Sequence, residues 1–167
     1  MIKNELQPDR LRSAILEASR ADLSSVFRLA YVSRTSSLFG PDDLREIGLL
    51  SARRNLEADI TGILVMDEGD ILQILEGEKN MVVGLFEKIS RDPRHENVQQ
   101  VAGGEKASRL LSCWSLVGGA GASAPEALMN DFHRLHAKFY ERQGIGEVTA
   151  EEVELLKVIA LFRSVPL

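Results

Sequence analysis

An α+β fold is predicted: a ferredoxin-like β-α-β-β-α-β-β sheet with two helices on one face, plus an N-terminal helix and two C-terminal helices. Three observations predict it. Apolar residues alternate along VFRLAYVSR, where Phe27, Leu29 and Tyr31 interleave with Arg28 and Ala30. Helical spacing appears on either side of a hairpin, over 42–55 and 78–91. The hairpin itself, ITGILVMDEGDILQILEG, is apolar on both faces, so each face needs a covering layer. A chain of 167 residues suffices for one domain with a sizeable core. The expected division is a helical extension over 1–25, the sheet with its helices over 26–118, and a linker with a helical cap over 119–167.

The elements follow in order. PDRLRSAILEASR, with Leu11, Ile15 and Leu16 at helical spacing, predicts a short amphipathic helix over 8–20. The first strand covers 26–33. Gly40-Pro41-Asp42-Asp43 opens the next helix, with proline at its first position and two acids in its first turn. Leu44, Ile47 and Leu50 continue one face to about residue 55. Strands at 60–66 and 70–76 meet in a turn at Asp67-Glu68-Gly69, where glycine supplies a positive φ. Met81, Val82, Leu85, Phe86 and Ile89 give a helix over 78–91, which Asp92-Pro93 ends. Residues 98–106 and 109–118 read as two further strands, and GGAGASAP as the linker. Two amphipathic helices follow at 125–142 and 149–163, the second opened by a Thr149/Glu152 capping box. Ile71, Gln73 and Leu75 point to one face of the sheet, Leu72 and Ile74 to the other. The two helices after the first and third strands cover only one face, so the C-terminal helices or a second subunit must cover the other.

Composition narrows the function. Apolar residues make up 44%, charged residues 27%, and the net charge is −5. The basic residues are scattered, which argues against nucleic acid and against an anionic membrane surface. No apolar run reaches membrane-spanning length, and the N-terminus lacks the apolar stretch of a signal peptide. The single cysteine, Cys113, excludes an internal disulfide, fits a reducing cytoplasm, and is expected to be an inert buried thiol. His133 and His136, with Asp131 nearby, read as a solvated helix face, and no metal site is expected. Gly103-Gly104 and Gly118-Gly119 lack the Lys-Ser/Thr of a phosphate loop. No catalytic triad or paired-carboxylate site is present, so the chain is not expected to be an enzyme.

Gln73 stands out. It sits in the middle of an apolar strand, and burying its amide unpartnered would cost about 1–3 kcal/mol. In a ferredoxin-like sheet the first and third strands are adjacent, so Tyr31 and Gln73 can lie side by side beneath the two helices. A phenol meets part of the amide's needs, and a further polar partner belongs there.

RLAYVSR, the helix ending in RRN, ITGILV, DILQILEG, FEKISRDPRHENV and CWSL together resemble the BLUF family, blue-light sensors using flavin. The likeness runs from about Val26 to Val117, with Tyr31, Asn55, Gln73 and Trp114 all at the family's spacings. It implies a flavin, FAD with FMN as the alternative, held between the two helices. It implies that Gln73 hydrogen-bonds the flavin at N5 or O4, that Tyr31 bonds Gln73, and that Asn55 holds the C4=O and N3 side. Ile47, Leu64, Ile71 and Ile89 match positions lining the ring pocket, and Arg54, Asp92, Arg94 and His95 match positions of polar contact. The implied photochemistry is electron and proton transfer from Tyr31 that rearranges the Gln73 hydrogen-bond network and signals to a partner protein. Trp114 and Leu116 would carry the signal onward.

Three departures stand beside that likeness: Leu116 where the family usually has methionine, Arg54 where Asn or His is common, and the leading helix. Leu116 and the leading helix keep a second reading open, a light-independent ferredoxin-like interaction module that responds to flavin occupancy or redox state. The expected setting is a bacterial cytoplasm, with a downstream signalling protein and homo-oligomerisation, and without nucleic acid or membrane.

Overall fold

The computed structural model describes residues 25–40, 42–118 and 124–162. Its elements are β1 (Val26–Thr35), α1 (Asp43–Glu57), β2 (Thr61–Asp67), β3 (Asp70–Gly77), α2 (Lys79–Ser90), β4 (His95–Lys106), β5 (Trp114–Val117), α3 (Glu126–Tyr140) and α4 (Ala150–Ala160). The helix expected over 8–20 lies outside the described residues.

The five strands form one sheet in the order β4-β1-β3-β2-β5. All neighbours are antiparallel except β2 and β5, which run parallel. The predicted adjacency of the first and third strands is the centre of this sheet. Tyr31 and Gln73 are direct partners in its register.

The period-2 pattern divides the core into two layers. Leu29, Tyr31, Leu64, Ile71, Leu75, Trp114 and Leu116 face the side of α1 and α2. Ala30, Val32, Ile63, Val65, Leu72 and Ile74 face the other side, against Phe132, Leu135 and Phe139 of α3 and Val153, Leu156 and Ile159 of α4. The C-terminal helices therefore cover the second face. Thr149 and Glu152 close the capping box that starts α4.

Two of the expected strands change length. The last is only Trp114–Val117, because the backbone at 110–111 turns aside: Leu110 N–H and Leu111 N–H both donate to the Glu76 carboxylate. β4 instead starts earlier, at His95, pairing Thr35; an edge strand tolerates the charged HEN run that looked like a connection. β4 also breaks register twice with β1. At the first break Val101 is unpaired, and its carbonyl accepts from Gly146 N–H at 2.8 Å, so the α3–α4 connection shields that edge. At the second, Asn97 takes a φ of 53°.

The β2–β3 turn holds both Glu68 (φ 47°) and Gly69 (φ 87°) in the left-handed region, as a two-residue hairpin loop of the primed type requires. Gly62 answers to a different need. A Cβ there would sit 2.4 Å from the Ile74 carbonyl oxygen, in a strand flanked on both sides. Gly62→Ala is expected to cost about 1–3 kcal/mol, read as a lower urea midpoint, because the strands cannot part to admit a methyl.

Candidate functional site

A cavity of about 680 Å³ lies between α1 and α2 above the sheet. That volume falls within the usual range for small-molecule sites, roughly 300–1,000 Å³. Helix α1 contributes Ile47, Ser51, Arg54 and Asn55, and α2 contributes Met81, Gly84, Leu85, Lys88 and Ile89. The sheet supplies Tyr31, Leu64, Gln73, His95 and Trp114, and the turn after α2 supplies Asp92 and Arg94.

At the floor, Tyr31 Oη donates to Gln73 Oε1 at 2.6 Å. Gln73 is 3% exposed and Tyr31 entirely buried, its ring against Phe86. Burial pushes the Tyr31 hydroxyl far above the usual phenol range, and the Asp92 charge adds to this, so the phenol keeps its proton and remains a donor. Because Oε1 accepts from Tyr31, the amide presents Nε2 elsewhere, and Nε2 has no protein partner among the described residues. Two more polar groups are unspent. The buried Asn55 amide makes no side-chain hydrogen bond among the described residues, and the Trp114 Nε1–H is buried without a partner. The fully buried Trp114 Nε1–H costs about 1–3 kcal/mol if left dry, while the Gln73 and Asn55 amides open onto the cavity, where a polar ligand edge can meet them.

Charge is arranged at the rim. Arg94 grips Asp92 through Nη2 at 2.7 Å and reaches Asp43 at 2.9 Å, tying the exit of α2 to the first turn of α1. The Gly40 N–H and then Arg94 hold the Asp43 carboxyl below its ordinary range, and Arg94 does the same for Asp92. The gap between the helices is thus fixed by an ionised clamp. Arg94 also lines the cavity beside that clamp.

His95 shares a 3.0 Å hydrogen bond with Ser33 Oγ, and burial lowers its pKa. The folded chain therefore holds it neutral, while the unfolded chain protonates near pH 6.5. Its contribution is complete above about pH 6.5 and is lost as pH falls from there through the lower folded value. Urea midpoints at pH 7.5 and 5.5 are expected to differ in the wild type and to converge in His95→Asn.

The residues picked out in the sequence gather here with exceptions. Tyr31, Ile47, Arg54, Asn55, Leu64, Gln73, Ile89, Asp92, Arg94, His95 and Trp114 all line the cavity. Ile71 is buried at 2% exposure in the same layer but does not reach the cavity wall. Leu116, also fully buried, packs beside Leu64 in the ladder rather than lining the cavity. Sequence reasoning missed Ser51, Gly84 and Lys88. It took Met81 and Leu85 for core because a ligand-facing stripe has the same 3.6 period as a packed one.

Two smaller expectations are corrected. His133 and His136 do not form a solvated face: His133 Nε2 lies 3.0 Å from Asp67 Oδ2, and His136 is buried against β1. They meet the hairpin turn, a contact that sequence distance hides. No cluster able to hold a metal ion occurs among the described residues. Cys113 is exposed rather than buried, because it precedes β5 instead of lying within it.

Comparison with known proteins agrees with this geometry. The family model "BLUF: Sensors of blue-light using FAD" matches residues 26–117. A photoactivated adenylate cyclase subunit beta from Euglena gracilis is 35% identical over 105 residues, covering 62% of this chain and 12% of that protein. Its counterpart from Euglena longa is 38% identical over 78 residues, covering 47% of this chain and 9% of that protein. The chain thus spans about a tenth of the length of these curated relatives. A solved structure titled "BlsA photo-activated state" matches 81% of this chain and 95% of its own, with TM-score 0.61 and 22% identity, a likeness of fold.

Proposed function

The chain belongs to the BLUF family, sensors of blue light that bind flavin, and we propose that it detects light through the Tyr31–Gln73 pair. The observation that carries this reading is the 2.6 Å bond from the phenol to an amide whose other edge is unspent beneath a helix-flanked cavity. The cavity fits the cofactor on its own terms: apolar walls at Ile47, Leu64, Leu85 and Ile89, and unpaired polar groups at Gln73, Asn55 and Trp114. Gln73 and Asn55 would hold the polar edge of the ring, and the aliphatic residues its faces. When bound, the flavin supplies blue-light absorption and, excited, a strong oxidant.

With that flavin bound and excited as oxidant, Tyr31 would supply the electron. Its Oη proton has one acceptor, Gln73 Oε1, already in hydrogen-bond contact. Electron and proton would both return to Tyr31, so the relay would leave no net reaction. The Gln73 amide is left with donor and acceptor exchanged between its neighbours. Glutamine suits this because it carries both groups on one planar unit; an aliphatic side chain could not switch, and a carboxylate would bury a charge. The outcome is a bistable hydrogen-bond network biased by light.

The segment is a sensor module, so its output passes to a downstream protein or output domain. We assign 26–118 to sensing and 119–167, with α3 and α4, to the linker and output surface, with homo-oligomerisation through the helices and a bacterial, cytoplasmic setting. The relatives' names, photoactivated adenylate cyclase subunits, support a sensing segment that acts on a separate output function. Tyr31→Phe tests the reading: the variant is expected to bind FAD and to lose the light-induced shift of the visible band to longer wavelength. A normal shift in that variant removes Tyr31 as donor. A wild type that binds FAD but responds identically in dark and light supports the occupancy-sensing module instead.

A further inference from the structure

A polar path crosses the sheet at Ser33. This residue is entirely buried in β1 (0% exposed). Its Oγ shares the 3.0 Å hydrogen bond with Nδ1 of His95, which lines the cavity. Its carbonyl accepts from His136 Nε2 at 3.2 Å, and His136 belongs to α3 on the opposite face. One residue therefore touches both layers. A carbonyl only accepts, so His136 must carry its proton on Nε2.

The local backbone singles Ser33 out. Val32 pairs with Gln99 and Arg34 with Glu96, so two residues of β4, Asn97 and Val98, oppose Ser33 alone. This is a bulge, a device that re-aims groups and ends regular pairing. His136 is anchored on the α3 side as well: it is 4% exposed, stacks on Tyr140, and sets Nδ1 3.6 Å from Asp70 Oδ2. Asp70 in turn is held by Arg34 at 3.0 Å. A hydroxyl and an imidazole thus occupy buried positions where aliphatic side chains would fill the space at less desolvation cost.

We infer that Ser33 couples the cavity to the cap, passing a change at His95 through its own backbone to His136 and α3. The inference rests on the light-sensing reading above and adds a route to it. The route matters because Leu116 on β5 has an aliphatic side chain with no hydrogen bond to rearrange. Ser33 and His136 are positioning residues; neither lines the cavity.

The test is amide hydrogen exchange of the full FAD-loaded chain, in darkness and under continuous blue light. In the wild type, peptides covering 126–140 are expected to change their exchange on illumination. Ser33→Ala cuts the path at the hydroxyl, and His136→Leu at the carbonyl. Both are expected to retain the absorption shift and lose the light-dependent difference in α3, while Ser33→Thr, which keeps the hydroxyl, retains that difference. A purely structural role would alter α3 equally in dark and light and leave the difference intact. A difference that survives in either folded variant overturns the path, as does a wild type with a normal absorption shift and no change in α3. A wild type with no absorption shift overturns the light reading and this route with it.

Discussion

Gln73→Leu leaves the FAD-loaded chain yellow and its visible band unmoved by blue light. Leucine fills the volume of the amide among Leu64, Leu75 and Ile71, so the cavity floor stays closed and the cofactor is retained. The variant removes the acceptor of Tyr31 Oη and the donor facing the cavity together. Without a group that exchanges donor for acceptor, nothing remains to be rearranged, and the expected loss of the shift is complete. The fold should weaken too. A buried phenol left without its partner costs about 1–3 kcal/mol, visible as a lower urea midpoint in the dark. An undiminished shift in this variant would take Gln73 out of the mechanism.

Arg28→Met is the expected large effect on stability. Arg28 Nε donates to Glu76 Oε1 at 2.6 Å; Arg28 is 6% exposed and Glu76 fully buried. Removing the cation strands a carboxylate in the interior, at a cost of about 3–5 kcal/mol. Typical domains have only about 5–15 kcal/mol in total. The same carboxylate takes Leu110 N–H and Leu111 N–H, and Arg28 Nη2 donates to the Ser108 carbonyl. The connection that leads into Trp114 is thus hung on this pair. In the Arg28→Met, Glu76→Met double variant the stranded charge is gone but the two N–H groups are unpaired, so only part of the stability should return. Urea unfolding of the wild type, Arg28→Met, Glu76→Met and the double variant measures the coupling; an Arg28→Met variant within about 0.5 kcal/mol of wild type, the range of ordinary surface changes, would mean the pair holds nothing.

The sheet was legible because its pattern is strict. Alternation along 26–33 and the two-faced hairpin place Tyr31 beside Gln73 in a β1–β3 pair, which is the register observed. The four described helices were legible from spacing, and α4 also from its Thr149–Glu152 box, although α1 opens at Asp43 behind Asp42 rather than with a proline at its first position. What escaped were features set by contacts between distant segments. RLLSCWSLV is apolar enough to read as one strand, yet its first half answers to the Glu76 carboxylate, over thirty residues away in the chain. His133 and His136 look solvent-facing by composition, but Asp67, Asp70 and the Ser33 carbonyl meet them across the sheet. In the site, Gln73 drew attention because an amide in an apolar strand demands explanation, and the resemblance supplied Arg54, Asn55, Asp92, Arg94 and His95, which line the same cavity. Ile71 faces the same side of the sheet but lies among the buried residues beneath the cavity rather than among those that line it.

The central claim concerns one side-chain amide, and an isotope reads it directly. In the FAD-loaded chain with 13C,15N-labelled glutamine, the light-minus-dark infrared difference spectrum is expected to contain amide bands that move with the label. In Gln73→Leu carrying the same label those bands are expected to vanish, although Gln7, Gln99, Gln100 and Gln143 remain. A difference spectrum that ignores the glutamine label, in a chain whose visible band still shifts, would contradict the account.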